Sequence, residues 1–408
     1  MVSIFKKMEK KSFRFNKEIV FIIKVMCGGG AERVVTLLSN AMVQQGYNVS
    51  LVLTHQKKRE ADLKDIDNRI EVLSLEDEII NCSEQSIKAN VHMLYARCLG
   101  KLGKTEISSI RKYYARNYKK VSWLKDYLRK HRRSTIVAFL YDSIFLTMLS
   151  KMADNKVIIS ERGDPQQSVT SKTTMAFLHK MFPKADHIVF QSPDVSKWYQ
   201  ENMNVKGTVI FNPIKNDLPE RYEGIRKKRI VNFCRISDQK NLELLVNAFA
   251  KLNKDCPEYE LYIYGDAVGN GAEGYMDKIK SLVVIHGLQD KVYILPGRKD
   301  IHTEIRDYAM FVSSSDFEGM SNSMLEAMAM GMPVVCTDCP AGGARAVIRD
   351  HENGILVPVR NEEKMYLAMK EIIENAKLAD KLSQNAVQIR EEQSLEKIIG
   401  KWMEIIND

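Results

Sequence analysis

Two doubly wound α/β domains, each a parallel sheet with helices on both faces, are what this sequence predicts. Three observations carry the prediction. The chain has 408 residues, too many for one ordinary hydrophobic core. Short apolar runs alternate with helical stretches in two successive series, and Asn212-Pro213 breaks the pattern between them. A glycine cluster, Gly28 to Gly30, follows the first apolar run directly.

The first series opens with "EIVFIIKVM" (18–26), a strand. Next come "CGGGAERVVTLLSNAMVQQG", whose apolar residues Val34, Leu37, Leu38, Ala41 and Met42 recur at helical spacing, and "YNVSLVLTH", a second strand. Further strands are expected at 134–140, 156–160, 187–192 and 207–212. The second series has strands at 229–234, 260–265, 291–297, 308–314 and 333–337, with a helix from Asn241. The expected domains are residues 1–213, with a basic helical insertion at about 84–134 and the C-terminal helix of about 390–408 returning to it, and residues 214–389.

Composition excludes several classes. Hydrophobic residues make up 45% and Gly plus Pro are few, so the chain is globular. No apolar run is long enough to span a bilayer. The N-terminus "MVSIFKKMEKKSFRF" is basic but has no apolar core segment and no cleavage site, so it does not read as a secretory signal. Seven scattered cysteines suggest reduced thiols in a cytosol. The lone C-x-x-C of Cys336 and Cys339 has no second ligand pair, and the eight histidines show no metal spacing, so no metal is expected.

The net charge of +9 is uneven. Residues 1–17 hold six basic residues against Glu9, and residues 86–134 hold fourteen against Glu106 and Asp126. The latter segment carries apolar stripes at 87, 91, 94, 98, 102 and at 107, 110, 114, 118, 121, 124, 128. Tyr95, Tyr113, Tyr114, Tyr118, Tyr127 and Trp123 stand among its cations. Basic amphipathic helices with aromatics suit an anionic bilayer surface, so the segment 86–134 is the expected contact, and neutralising residues 111–133 would be expected to weaken it. The bland alternative is that the stripes pack on the first domain and the charges face water.

Three stretches could carry chemistry. The glycine loop at a strand-to-helix turn lets backbone N–H groups approach a phosphate. It is not G-x-G-x-x-G, which argues against a dinucleotide. In "FCRISDQKNLELLVNAF", Arg235 and Lys240 leave a strand end ahead of a helix, where two cations suit a diphosphate. In "FEGMSNSMLEAMAMGMPVV", Glu318 falls in a loop and Glu326 about one turn inside a helix capped by Ser321 or Asn322. The amides of Gly319, Met320 and Ser321 would be open to a ligand. The two glutamates read either as an acid and a base or as two ends of a binding site.

These stretches together resemble the retaining glycosyltransferases of family 4, which have the GT-B fold of two Rossmann-like domains facing across a cleft. E-x7-E is matched by Glu318 and Glu326, and the family's arginine–lysine pair by Arg235 and Lys240. "GGGAERVVTLLSNAM", "GNGAEGYMDKIKSL", "LPGRKDI" and "ENGILVP" also fit. The resemblance implies that Arg235 and Lys240 hold the donor diphosphate. Glu326 would bind the ribose, while Glu318 and the Gly319–Asn322 segment would meet the sugar. The backbone at Arg298 would read the base, and Gly29 and Gly30 would approach the phosphates. It implies a nucleotide-sugar donor, UDP by the family's usage, and no metal or other cofactor. The acceptor would be a lipid-linked or polysaccharide glycan at the cytoplasmic face of the membrane.

This chain departs from the family in three places. Cys234 replaces a glycine, Arg162 after Glu161 replaces a histidine, and Arg345 replaces a glutamate. Glu161 and Arg162 are therefore candidates to meet the acceptor or a phosphate. The competing functions are another GT-B enzyme such as an epimerase or phosphorylase, a degenerate membrane-surface protein, and a nucleic-acid binder. The intact Arg235, Lys240, Glu318 and Glu326 set argues against the first two, and the third rests on the basic segment alone.

Overall fold

Where apolar side chains run unbroken, the chain forms strands buried on both faces, as a parallel sheet between helix layers requires. The structure, a computed structural model, describes residues 18–79, 86–268 and 271–408. The basic stretch 1–17 and the Gly269-Asn270 pair lie outside the described residues.

The chain divides into two compact units. The first holds the chain up to Gln191, then Val195–Ile210 and Ile398–Asp408; the second holds Ser192–Asp194 and Phe211–Lys397. The chain therefore returns to the first unit within its last helix.

In the first unit, β1 (Glu18–Ile23), α1 (Gly30–Gln44) and β2 (Asn48–Leu53) follow the expected order, and β3 (Glu71–Ser74) comes next. The basic segment forms three helices: α2 (Ser86–Lys101), α3 (Thr105–Arg116) and α4 (Tyr118–Lys130). Then come β4 (Thr135–Phe139), α5 (Tyr141–Ser150), β5 (Lys156–Ser160), α6 (Lys172–Lys180), β6 (His187–Phe190), α7 (Pro193–Met203) and β7 (Thr208–Val209). The seven strands are parallel in the order β3-β2-β1-β4-β5-β6-β7. Strand order reverses between β1 and β4, so the loops after those two strands diverge and leave a crevice at the carboxyl edge.

The second unit has β8 (Lys227–Phe233), α8 (Leu242–Asp255), β9 (Glu260–Tyr264), α9 (Ala272–Ile285), β10 (Val292–Leu295), α10 (Ile301–Ile305), β11 (Tyr308–Ser313), α11 (Asn322–Ala329), β12 (Val334–Thr337), β13 (Ile355–Val357), α12 (Glu362–Glu374) and α13 (Ala376–Ala386). The final helix is α14 (Leu395–Asn407). The six strands are parallel in the order β10-β9-β8-β11-β12-β13, reversing between β8 and β11. Two hydrophobic layers sandwich this sheet. One is built on Leu245, Phe249, Ile279 and Met365, the other on Phe311, Met324, Met328 and Ile389. Buried Asn232 of β8 donates to the Val312 carbonyl of β11 at 2.7 Å, tying the two strands at the switch point.

Differences from expectation are local. The stretch 207–212 pairs over only Thr208–Val209, and β3 and β13, four and three residues long, were not anticipated. Val121, Leu124 and Leu128 of α4 are fully buried, so this stripe packs into the first unit. The apolar side of α4 is thus spent on the core, as the alternative reading of the stripes expects for this helix.

Helix α14 packs its Trp402 against the first unit. The indole stacks on Phe139 with ring centres 5.8 Å apart, and Lys156 Nζ donates to the Ile405 carbonyl at 2.6 Å. Trp402 is fully buried, so Trp402→Ala leaves a large cavity. We expect a loss of roughly 3–5 kcal/mol, read as a lower urea midpoint; an unchanged midpoint would mean the indole is not packed as described.

Candidate functional site

The β8–β11 switch point gathers the candidate residues of the second unit. Cys234 continues β8, its amide bonding the Tyr264 carbonyl at 3.0 Å. Arg235 then leaves the sheet, and the chain makes one short turn, Asp238–Lys240, before α8. Asn241 adopts a left-handed conformation (φ 41°) and caps α8, its side chain accepting from the Leu244 amide. Gly265 lets the end of β9 pass the Arg235 loop, since a Cβ there would lie 1.9 Å from the Cys234 carbonyl oxygen.

Residues 314–321 form the opposite loop, and the two loops are stitched together. Asn241 Nδ2 donates to Asp316 Oδ1 at 2.7 Å, Gln239 Nε2 to the Phe317 carbonyl at 2.8 Å, and Ser314 Oγ to the Lys240 carbonyl at 2.9 Å. The Asp316 amide returns a bond to the Gln239 carbonyl at 3.0 Å. From below, Thr337 Oγ1 and the Cys339 thiol donate to the Ser315 carbonyl at 2.6 and 3.2 Å. Burial pushes the Cys339 thiol up to about 12, so it stays a donor. The C-x-x-C thus does structural work: Cys336 is buried in β12, and both thiols are free.

On this frame Lys240 Nζ forms a short ion pair with Glu318 Oε2, and Ser315 Oγ donates to the same oxygen at 3.4 Å. Burial alone would lower the lysine's pKa, but the adjacent Glu318 charge outweighs it and the net shift is upward. The ammonium is therefore held charged. Arg235 is exposed and has no hydrogen-bond or ion-pair partner among the described residues. It borders a cavity of about 250 Å³ lined also by Ser237, Asp238, Gln239, Val268, Gly271, Ala272 and Tyr275. One cation is neutralised by the protein and the other is available to an anion.

Glu326 sits differently from Glu318. It is in the second turn of α11, which Ser321 caps by accepting from the Met324 amide, and it is 3% exposed. His302 of α10 bonds it through Nε2 to Oε2 at 2.8 Å. No hydrogen-bond partner for His302 Nδ1 is found among the described residues, so Nε2 carries the proton that the carboxylate accepts. Phe233 packs edge-on against the imidazole at 5.6 Å. His302 escaped the sequence reading because one histidine in a short polar helix leaves no periodic signal. Glu318 lies in the loop before α11 and Glu326 inside it, so the two do not share a helix face.

Other expected residues have defined places. The Met320 side chain is buried in the core, so only its backbone can face a ligand. Its carbonyl and the Asn322 side chain both accept from Asn212 Nδ2, at 3.2 and 2.8 Å. Gly319 lies under Gly343, where a Cβ would come within 1.6 Å of the Gly319 carbonyl oxygen. Arg298 is held by Asp300 and Glu304, and the amide of its neighbour Gly297 donates to Asp266 Oδ1 at 3.1 Å. Arg345 clamps Asp338 and Asp194 at 2.6 and 2.8 Å.

In the first unit, Gly28 takes φ +76°, Gly29 precedes α1, and Gly30 is its first residue. The Glu32 carboxylate lies against Gly29, where a Cβ would come within 2.1 Å, so the anion at this helix end is the protein's own. Lys24 and Asp142 pair at 2.6 Å across the loops after β1 and β4.

Glu161 and Arg162, the candidates for the acceptor or a phosphate, follow β5 and are both buried. Arg162 lies over the Phe139 and Trp402 rings and donates to Ser160 Oγ at 2.9 Å and the Ile210 carbonyl at 3.3 Å. It pins the C-terminal helix. Glu161 is 2% exposed, takes the Gly163 amide at 2.8 Å, and lies near Tyr141, Tyr199 and Asp164. Burial pushes its pKa up to about 7, against the lowering effects of the Gly163 and Arg162 amides and the Arg162 charge.

The chain matches two family models: "Glycosyltransferase Family 4" over residues 28–218 and "Glycosyl transferases group 1" over 219–389. A relative in Campylobacter jejuni, N-acetylgalactosamine-N,N'-diacetylbacillosaminyl-diphospho-undecaprenol 4-alpha-N-acetylgalactosaminyltransferase, is 29% identical over 258 residues, covering 60% of this chain and 68% of its own. An uncharacterized glycosyltransferase of Haemophilus influenzae is 24% identical over 394 residues, 95% of this chain and 98% of its own. Among solved structures, Anabaena HepE in complex with UDP superposes with a TM-score of 0.72 at 16% identity, covering 95% of this chain and 98% of that one.

The Glu161 environment predicts a pH effect. Unfolded, the group ionises near 4.5; folded, near 7. Across that window the folded state binds the proton more tightly, so stability falls as pH rises. Glu161→Gln removes this penalty. Its melting temperature relative to the parent should be nearly level below pH 4.5 and should gain steadily up to pH 8. A gap that does not change with pH would show that Glu161 is not held protonated by burial.

Proposed function

The chain is a glycosyltransferase of the family 4 type with the GT-B fold, and we propose that it moves a sugar, with retention of anomeric configuration, from a UDP-hexose or UDP-N-acetylhexosamine to a lipid-linked glycan in bacterial surface polysaccharide or glycan assembly. The carrying observation is the Arg235 guanidinium, exposed and without a partner among the described residues, beside the Lys240–Glu318 pair at the β8–β11 switch point. The UDP in the HepE complex and the undecaprenyl diphosphate in the Campylobacter relative's name support the choice of donor and acceptor class.

Chemistry follows from the charges. As the glycosidic bond to the diphosphate breaks, negative charge grows on the leaving group and positive charge on the sugar. Arg235 and Lys240 are fixed cations where the diphosphate charge develops, and fixed charges need no reorganisation at the moment of reaction. Glu318, on the loop facing them, is placed toward the sugar. Glu326, held by His302, is placed toward the ribose, and the backbone at Gly297–Arg298 toward the base. The Gly319–Ser321 amides precede α11 and add a positive field. The reaction is proposed to need no metal and to run at the cytoplasmic face of the membrane. No helix among the described residues is long and apolar enough to cross a membrane.

A panel of nucleotide sugars screened by thermal shift tests the donor. A bound donor at a hundred times its Kd adds about 2.7 kcal/mol, a shift of several degrees. Arg235→Ala should cut turnover on the donor so found by roughly 10²-fold or more, with EDTA leaving the parent unchanged; near-normal transfer by Arg235→Ala would sink the assignment. Glu326→Gln should raise the KM for donor more than it lowers kcat. A selective loss of kcat would restore the acid–base reading of the two glutamates.

A further inference from the structure

The described residues include eleven exposed large hydrophobic side chains, and six of them fall between positions 87 and 107. Four are aliphatic side chains on or just past α2: Ile87, Val91, Leu94 and Leu102, exposed by 75, 62, 62 and 74%. Tyr95 and Cys98 are also exposed. At about 100° per residue these positions share one arc roughly 100° wide. Such concentration on one helix is not the scattered exposure that ordinary surfaces show.

The opposite side of α2 is already occupied. Ala96 and Leu99 are buried, and Ser108 Oγ of α3 donates to the Ala96 carbonyl at 2.7 Å. His92 packs against Tyr114 at 4.7 Å and Tyr118 at 5.8 Å. Among the described residues, then, the outward apolar arc is not used in packing. Basic residues flank it: Arg97 and Lys101 on one side, Lys88 on the other, all exposed. Over residues 86–116 seven cations face one acid, Glu106. Cations bordering an apolar stripe fit phospholipid headgroups beside acyl chains. A second copy would bring the same cations against themselves.

The place of the patch matters too. Ala96 opposite Ser108 and His92 opposite Tyr114 make α2 and α3 antiparallel. The N-terminal turns of α2 therefore lie at the end where Tyr113 donates to the Asp142 carbonyl at 3.4 Å and Lys120 to the Thr54 carbonyl at 2.9 Å. Asp142 and Thr54 follow β4 and β2 at the carboxyl edge, where α/β sheets bind ligands. We propose that α2 lies in the plane of an anionic lipid bilayer, with Ile87, Val91, Leu94 and Leu102 among the acyl chains. A lipid-linked acceptor would then enter at the neighbouring sheet edge, a consequence that rests on the acceptor class proposed above.

The test compares the full chain with Ile87→Ser/Val91→Ser/Leu94→Ser by sedimentation with vesicles. Vesicles of phosphatidylglycerol and phosphatidylcholine in equal parts should pull down the parent, phosphatidylcholine alone much less. The triple variant should lose on the order of tenfold or more in vesicle affinity. Neutralising Lys125, Arg129 and Lys130 of α4 by glutamine should cost far less. UDP thermal stabilisation, measured on the same samples, should be equal in parent and triple variant. Vesicle binding unchanged in the triple variant, or absent in the parent, overturns the proposal. So does a parent dimer that the triple variant dissolves, which would make the patch an interface between copies. Failure of UDP to stabilise either protein would strike the donor assignment and leave the vesicle result standing.

Discussion

Everything chemical in the second unit depends on the hydrogen bonds that stitch the loop after β8 to the loop after β11. Beyond the short turn Asp238–Lys240, neither loop has regular structure of its own to fix it. Strand order reverses between the two strands, so the backbone alone would let the loops diverge. Asn241 to Asp316, Gln239 to Phe317 and Ser314 to Lys240 close that divergence. Only then do Lys240 and Glu318, 78 positions apart, come into contact. The cost of holding polar backbone in a tight crevice is offset because each buried carbonyl named here receives a donor. The thiol of Cys339 supplies one of those donors, which explains a buried cysteine there without metal or redox chemistry.

Much of this was legible in the sequence, for identifiable reasons. The strands of both sheets are buried on both faces, so they appear as apolar runs. The exceptions, β3 and β13, are too short to stand out from their surroundings. The Arg235–Lys240 and Glu318–Glu326 stretches are legible because turns, caps and glycines punctuate them at fixed spacing. What stayed hidden depends on tertiary contact. His302 is defined by its partner Glu326, 24 positions away. Glu161 and Arg162 follow a strand at the ligand-binding edge, and their burial, with Arg162 over the Phe139 and Trp402 rings, comes from packing between distant segments. In the basic segment the two stripes look alike as patterns. One is buried and one is exposed, because α4 lies against the first unit's core while α2 has only α3 beneath it.

The departures from the family pattern fall into place by the same logic. Cys234 replaces a glycine, yet its amide extends the β8–β9 ladder and its backbone is not left-handed, so a side chain is tolerated. The tight approach is absorbed by Gly265 across the ladder. Arg345 replaces a glutamate and works as a clamp on two aspartates, Asp338 and Asp194. Both substitutions sit beside the stitched loops and neither breaks one of the hydrogen bonds described.

The unequal state of the two cations bears on how the proposed reaction would begin. Two lysine or arginine charges converging on an empty site would repel each other and destabilise the loops that carry them. Glu318 removes that problem by pairing with the more buried one, Lys240, and keeping it protonated. Arg235 remains exposed to water, where an unpaired charge costs little. A diphosphate reaching Arg235 would meet a cation with no partner to displace among the described residues, so initial binding would need no rearrangement there. Lys240 is different, because the diphosphate must share it with Glu318. That sharing becomes more favourable as charge grows on the departing phosphate and less so in the ground state. Of the pair, Lys240 would therefore, in the proposed reaction, be the one whose interaction strengthens most toward the transition state, and an interaction of that kind is what accelerates chemistry rather than binding.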